Sequence, residues 1–567
     1  MIRRFLLTSS YLLTFLFCSY FLGGYFKELR AQEKRNSIDL VISNIVNSMS
    51  ESELVGQLIH ITIPGTVPND EVKQEMDSIL PGGVILFGKN FGKVADTIAL
   101  TKGLQEFSKA NKLPPLFIST DQEGGRVRRV QDGVTQFPGA MALGQTKNPA
   151  LSELVGFVTG YELKKVGINL VLAPILDVNN NPLNPVINTR SFGSNLETVN
   201  RTAIYYELGG RKSGILTTVK HFPGHGDTTV DSHLGLPIIQ KTLEELEKLE
   251  LVPFQKAIEN GADSVMTAHI LYPKIDPKYP ATLSKIFLTD ILRKKLGFQG
   301  LISTDAMEMH AISKNYEKDQ PATLSLLAGS DIILLTSYGE SARKIKAEVL
   351  KSYKEGKFFV DGQDLIKEKV KRNLKFKLGR GLYFENGFSL PELNERIFED
   401  FQKDTAVREK IYQDYKNSNP DLAQFVSDQT IRAFPKELKP LKQGMVLIPR
   451  NPILKKEAEQ LGIEVGTIKS ISEYLKLEKY KTIVLESQIE TDWKYGDLLA
   501  KSNPDKTIVL LHAYSPFLPI RERENLHYVF SFSTTDASFR SLARSLVAEN
   551  PILAVDLVLN FSTSQKK

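Results

Sequence analysis

At 567 residues the chain is long enough for roughly two to four domains, or for one barrel of about 250 residues or more with an addition. Lys and Arg exceed Asp and Glu by 72 − 66 = 6, a mild basic excess spread along the chain. It suits anionic envelope polymers or lipids and argues against a nucleic-acid partner. The single cysteine, Cys18, excludes an intrachain disulfide and a cysteine-rich metal site.

The first residues read as a membrane-directed segment. Arg3 and Arg4 precede an apolar stretch over 5–26, interrupted only by hydroxyl residues, Cys18 and Gly23-Gly24, and Lys27 and Arg30 follow. The stretch reaches the ~20 residues that span a bilayer, and the arginines would hold the start of the chain in the cytoplasm with the remainder outside. The absence of a small-residue cleavage pattern favours an uncleaved anchor over a cleaved signal. Bulky Phe17 disfavours lipidation of Cys18. The expected location is the cell envelope, either membrane-anchored and facing outside the cytoplasm, or secreted or periplasmic.

From about residue 50, short β-branched runs alternate with longer stretches of helical period. Strands are predicted over 58–63, 83–87, 115–120, 170–175, 217–220, 264–268, 301–304 and 332–335, with helices between most of them, such as 96–110, 196–212 and 243–260. Eight strands with intervening helices predict a (β/α)8 TIM-type barrel, in preference to an open doubly wound sheet. A second alternation, with strands over 445–448, 482–485, 507–511 and 528–532, predicts a smaller α/β sandwich domain. The resulting division is an anchor over 1–35, a barrel over 36–384, a helical connector over 385–428 and a second domain over 429–567.

Polar residues gather at the carboxyl ends of the predicted barrel strands, where barrels carry their active sites. Asp121 ends the third strand, Asp177 the fourth, Lys220 and His221 the fifth, His269 the sixth and Asp305 the seventh. The densest segment is Lys220-His221-Phe222-Pro223-Gly224-His225-Gly226-Asp227-Thr228-Thr229-Val230-Asp231-Ser232-His233, a loop by its glycines and proline. Its residues leave two chemistries open. One is a metal site, although the spacing fits no helical H-E-x-x-H pattern. The other is acid–base catalysis: in Asp231-Ser232-His233 a carboxylate can orient an imidazole and stabilise its charged form. His225 and Asp227 are read as residues that pin the loop.

This loop resembles the signature loop of family 3 glycoside hydrolases, in the β-N-acetylglucosaminidase branch. The resemblance covers about residues 49–379. It is supported in the same order by Asp121-Gln122-Glu123-Gly124-Gly125-Arg126-Val127, Asn188-Thr189-Arg190-Ser191-Phe192-Gly193 and Ser303-Thr304-Asp305-Ala306-Met307. It implies a retaining hydrolase of N-acetylglucosamine-containing glycans, such as peptidoglycan fragments, with Asp305 as nucleophile and His233, paired with Asp231, as acid/base. It further implies sugar binding by Asp121, Arg129, Arg190, Lys220 and His221, with no metal and no cofactor. Arg128 is read as a surface ion-pair residue, and Glu123 and His225 are the next candidates for the acid/base. The alternatives are a β-glucosidase or β-xylosidase of the same superfamily, and a non-catalytic glycan-binding protein. The second domain need not complete a site whose loop carries its own acid/base.

Overall fold

The computed structural model describes residues 37–316, 320–388, 395–434, 436–439, 441, 444–517 and 522–554. The expected anchor lies outside them. Among the described residues no helix is long and apolar enough to cross a membrane.

Eight parallel strands form the first sheet: β1 (Ile59–Ile61), β2 (Gly83–Ile85), β3 (Phe117–Thr120), β4 (Leu170–Val171), β5 (Leu216–Phe222), β6 (Ser264–Thr267), β7 (Leu301–Ser303) and β8 (Ile333–Leu334). Ile59 of β1 pairs with Ile333 of β8, and a parallel bridge from Ser303 to Ile332 joins β7 to β8, so the sheet closes on itself. The strands are buried along their whole length because both faces are covered. The outward face packs on helices such as Val94–Ala110, Pro149–Lys165 and Leu196–Lys212. The inward face forms a separate plug that includes Ile85, Phe117, Leu172, Leu216, Met266 and Leu334.

Two expectations are corrected. The fourth strand, expected over 170–175, is regular only over Leu170–Val171; beyond it Ala173 and Pro174 still accept the N–H groups of Thr218 and Lys220 at 3.2 Å, but Pro174 has no N–H to return. The helix expected over 243–260 is two, Leu243–Lys248 and Leu251–Glu259. Pro253 is tolerated only in a first helical turn, so a new helix begins just before it.

A 24-residue helix, Glu395–Ser418, and a shorter one, Leu422–Asp428, lie between the barrel and a second sheet. Tyr412 of the long helix stacks on Tyr161 at 4.6 Å between ring centroids and donates to Glu162 Oε1 at 2.8 Å, which fastens it to the barrel helix Pro149–Lys165. The second sheet has six strands: β9 (Arg432–Phe434), β10 (Met445–Ile448), β11 (Glu464–Val465), β12 (Thr482–Ser487), β13 (Thr507–His512) and β14 (Leu526–Phe530). Their spatial order is β9-β14-β13-β12-β10-β11, all parallel except β9. The short edge strands β9 and β11 were not among the four expected.

The second domain rests on the barrel. Met141 and Ala142, from the barrel helix Ala140–Thr146, are buried in the same apolar cluster as Trp493, Tyr528 and Phe532. The Arg432 guanidinium donates to the Gln145 carbonyl.

Candidate active site

The inward plug of the barrel ends in a cleft. Ile85, Leu172, Met266 and Leu334 belong both to the plug and to the floor of a cavity of about 750 Å3 at the carboxyl ends of the strands. Every residue lining it comes from the barrel. Asp121, Arg129, Arg190, Lys220, His221, Asp231, His233 and Asp305 all line it, so the eight residues singled out in the sequence are brought together.

Asp121 follows β3, and the chain then turns back in a hairpin of Gln122–Gly124 against Val127–Arg128. Gln122 Oε1 fixes its base by accepting the N–H groups of Arg129 and Val130 at 2.8 and 3.1 Å. Gly124 and Gly125 make the turn with φ of +83° and +57°; a Cβ on Gly125 would also lie 2.7 Å from the Gly139 Cα. The hairpin thereby presents Glu123, Arg126 and Arg129 to the cleft. Arg129 Nε is buried with no hydrogen-bond partner in the protein, a donor still unspent at the cleft wall.

Glu123 is the centre of the polar cluster beside that apolar floor, and sequence reasoning held it only as a fallback acid/base. Its carboxylate takes two bonds from Arg190, Nε to Oε2 at 2.9 Å and Nη2 to Oε1 at 2.8 Å. Lys220 Nζ lies 2.7 Å from Glu123 Oε1 and 2.7 Å from Asp121 Oδ1. Burial opposes the charge on Glu123, but Arg190 and Lys220 overcome it and hold the group well below the usual carboxylate range. It is therefore ionised and has no proton to give. The hint in the sequence was its place beside Asp121, just beyond a strand end.

His221 follows Lys220 at the end of β5. Its Nδ1 lies 2.7 Å from Asp177 Oδ2, and Asp177 Oδ1 also accepts the N–H groups of His221 and His225, at 3.1 and 2.7 Å. Burial would raise the Asp177 pKa; His221 and His225 outweigh it and hold it low. Asp177 does not line the cleft, and serves to aim His221. Burial, with the neighbouring His221, takes His225 down to about 4. Its ring nitrogens face Thr228 Oγ1 at 2.9 Å and Ser232 Oγ at 3.1 Å, so it pins the loop. Asp227 does likewise through Lys241, at 2.7 Å.

Beyond this anchored base the loop rises out of the barrel. His233 Nδ1 lies 2.7 Å from Asp231 Oδ1, and the same oxygen accepts the His233 N–H at 2.9 Å. The His233 side chain is 61% exposed, which leaves its other nitrogen open to the cleft and to water. Burial opposes ionisation of Asp231, but the bonds from His233 lower its pKa all the same.

Asp305 follows β7, with Oδ1 accepting the Ala306 N–H at 2.8 Å. Burial favours its neutral form; His269, His221, the Ala306 N–H and Lys220 together outweigh it and lower the pKa. His269 sits beneath, outside the cleft lining, with Nε2 2.9 Å from the Ala306 carbonyl and Nδ1 2.8 Å from Thr282 Oγ1. Arg128, read as a surface ion-pair residue, is partly buried and feels the charge of Asp536 from the second domain.

The site can thus hold a polar ring over an apolar floor, between the partly buried Asp305 carboxylate and the exposed His233 with its partner Asp231. The glycosyl hydrolase family 3 N-terminal domain matches residues 51–375. The chain belongs to glycosyl hydrolase family 3. A β-hexosaminidase A of Pseudoalteromonas piscicida is 40% identical over 271 residues, 45% of this chain and 45% of that relative. A β-hexosaminidase of Chromobacterium violaceum is 36% identical over 290 residues, 50% of this chain and 80% of that relative. This chain thus spans less than half of the first relative and most of the second. Among solved structures, a family 3 β-N-acetylglucosaminidase from Paenibacillus sp. str. FPU-7 superposes with a TM-score of 0.74 at 29% identity, covering 90% of this chain and 98% of that one. The likeness to this last protein extends through the second domain.

Proposed function

We propose that the protein is a retaining exo-β-N-acetylglucosaminidase that removes terminal β-linked N-acetylglucosamine from peptidoglycan fragments or similar glycans. The observation that carries this reading is the pairing of His233 with Asp231 on a loop at the rim of the cleft that Asp305 also faces. The relatives named β-hexosaminidase support the substrate class.

In the first step Asp305 attacks the anomeric carbon while His233 protonates the departing glycosidic oxygen. The bond to the leaving group breaks and a glycosyl ester forms on Asp305. In the second step His233 takes a proton from water, which attacks the same carbon and releases Asp305. The low pKa of Asp305 suits a nucleophile that must be ionised. The ionised Asp231 stabilises the imidazolium that gives up its proton in the first step and is regenerated in the second. Asp121, Arg129, Arg190, Lys220 and His221 bind the sugar hydroxyls, and Glu123 stands between Arg190 and Lys220.

The histidine-rich loop acts in proton transfer, since its rings already face Asp177, Thr228, Ser232 and Asp231. Extensive chelation is expected to leave activity unchanged, and a loss restored by zinc would reject this reading. We also propose an envelope location, on the strength of Arg3-Arg4 and the apolar stretch that follows. Recovery of the full chain solely in the cytosol would reject it. The deciding experiment for function compares nitrophenyl N-acetyl-β-glucosaminide with nitrophenyl β-glucoside and β-xyloside. Faster cleavage of the acetamido sugar supports the proposal; preference for either plain sugar, or cleavage of none, overturns it.

A further inference from the structure

The second domain contains a crevice that shares no residue with the barrel cleft. Its origin is topological. The parallel strands run β11-β10-β12-β13-β14, so the first strand in sequence, β10, lies between the second and the third. From β10 the chain leaves through helix Pro452–Gln460, whose Leu454 and Ala458 pack with Leu447 and Val484 on one face of the sheet. From β12 it leaves through helix Glu490–Ser502, whose Trp493 and Leu499 pack with Ile448 and Ile483 on the other. Neighbouring strands therefore send their chains to opposite faces, and a gap opens at their carboxyl ends. Open α/β sheets bind ligands in this position. The gap here has a volume of about 340 Å3, at the lower end of the ~300–1,000 Å3 of small-molecule sites.

The walls decide what fits. A phosphate group needs a glycine-rich turn after the first strand and free N–H groups at the helix start. Here the turn is Pro449-Arg450-Asn451-Pro452. Pro452 has no N–H, and Asn451 Oδ1 accepts those of Ile453 and Leu454 at 2.9 and 3.2 Å. The N–H groups of Arg450 and Asn451 both go to Glu486 Oε2, each at 2.6 Å. A carboxylate of the protein thus stands where an anion would. The lining holds two cations, Arg450 and Lys455, against three carboxylates, Glu459, Glu486 and Asp492, which further disfavours an anionic ligand.

What remains is a neutral ligand that both donates and accepts hydrogen bonds and has an apolar face. Arg450 and Asp492 form a two-bonded pair at 3.0 and 2.6 Å, which places donors and acceptors side by side at the crevice. Ile448, Val465 and Leu485 supply apolar wall. Tyr495 and Ile468, 38% and 53% exposed, are large apolar groups left open on its lining. Vicinal hydroxyls can bridge a guanidinium and a carboxylate while the C–H face of the ring lies on Tyr495. We infer that this crevice binds a neutral, polyhydroxylated ring of monosaccharide size, which makes the second domain a sugar-binding module separate from the barrel site.

The test uses the full chain with the barrel site saturated by an inhibitor derived from N-acetylglucosamine. N-acetylglucosamine, glucose, inorganic phosphate and adenosine monophosphate are each titrated, read by calorimetry and saturation-transfer NMR. Sugar binding is expected to persist with the barrel blocked and to weaken about tenfold or more in Tyr495→Ala and in Arg450→Ala. Hydrolysis of nitrophenyl N-acetylglucosaminide by both variants is expected to stay within about twofold, since the sites share no residue. The inference is overturned if neither sugar binds with the barrel blocked, if both variants bind sugar as the parent does, or if the phosphate probes bind and lose affinity in these variants. Hydrolysis is read separately. A chain that cleaves nothing yet binds sugar in a Tyr495-dependent way keeps this inference and rejects the proposed hydrolase.

Discussion

Lys220 Nζ lies 2.7 Å from Glu123 Oε1 beside the floor of the cleft, and both side chains are almost wholly buried. The same carboxylate holds the partly buried Arg190, so it stands between two cations, while Lys220 also keeps Asp121 at 2.7 Å. Removing one partner of a buried ion pair typically costs about 3–5 kcal/mol, because the other charge is left uncompensated. Glu123→Gln is therefore expected to lower the melting temperature and to raise KM sharply, by setting Lys220 and Arg190 against each other. The sign with pH follows from the depressed pKa. The contribution of Glu123 is complete above the ordinary glutamate value of about 4.3 and is lost only as pH falls well below it. Acid unfolding of the parent and the variant checks this: if the two differ equally at every pH, Glu123 contributes packing and not charge.

A second expectation concerns the contact between domains. The Gly139 N–H donates to Ser533 Oγ at 3.3 Å, and Gly139 in turn backs Gly125 in the hairpin at the cleft wall. The second domain thus supports the hairpin that carries Glu123, Arg126 and Arg129. Ser533→Ala is expected to cost roughly 0.5–1.5 kcal/mol of stability, the worth of one hydrogen bond. Gly125→Ala meets both a left-handed backbone and a close Cα, and is expected to raise KM more than it lowers kcat. An unchanged KM in Gly125→Ala would mean that the hairpin does not position substrate.

The barrel strands were legible because both faces are buried, and short apolar runs such as Gly83–Ile85 stand out between more polar helical stretches. The seven-residue strand Leu216–Phe222 was legible only in part, since its last residues look like the start of the loop. β9 and β11 were missed because Arg432–Phe434 and Glu464–Val465 each include a charged residue, so no apolar run marks them. The site followed a similar rule. Asp305 and His233 could be found from strand ends and a local motif. Arg190 lies 67 residues from Glu123 along the chain, Lys220 farther still, and His221 lies 44 from Asp177, so no local pattern reveals that one divides two cations and the other aims an imidazole.

A third expectation concerns the barrel's other end. Lys377 is fully buried, donates to the Gly82 carbonyl at 2.9 Å and lies 4.9 Å from the Phe117 ring centroid. Burial pushes its pKa down to about 7. Between there and the unfolded value of about 10.4, the unfolded chain binds more protons, so this group makes stability rise with pH. The slope is at most about 1.4 kcal/mol per pH unit. Lys377→Met is expected to flatten the stability profile between pH 7 and about 10, measured by denaturant unfolding. A profile with the same slope in parent and variant would show that Lys377 is not the group responsible.

A fourth concerns Asp305. Its depressed pKa keeps it ionised above the ordinary aspartate value of about 3.9. The acid limb of kcat/KM that belongs to it is therefore expected below that value, with activity lost as pH falls through it. A fluorinated amino-sugar inactivator is expected to label the peptide that contains Asp305, and the first product is expected to keep its anomeric configuration. Label on another carboxylate, or inversion, would remove Asp305 from the nucleophile's place.

The sharpest expectation concerns His233. A general acid matters most when the leaving group is poor: a sugar alkoxide needs a proton in the transition state, whereas a nitrophenolate hardly does. General acid–base catalysis contributes about 10²–10⁴-fold, so His233→Ala is expected to lose that much on natural disaccharides and far less on activated aryl glycosides. The second step suffers on every substrate, because the same imidazole activates water. With an activated substrate the glycosyl-enzyme is therefore expected to accumulate, and azide, which needs no deprotonation, is expected to speed turnover. Asp231→Asn gives a milder version, since the imidazole stays while its charged partner, 2.7 Å away, is lost. Asp305→Ala differs in kind, because no covalent intermediate can form on any substrate. If His233→Ala slows all substrates by one factor and azide has no effect, the acid/base lies elsewhere. Neither fallback then fits easily, since Glu123 is held ionised by two cations and His225 is buried, pushed down to about 4 and bonded within its own loop.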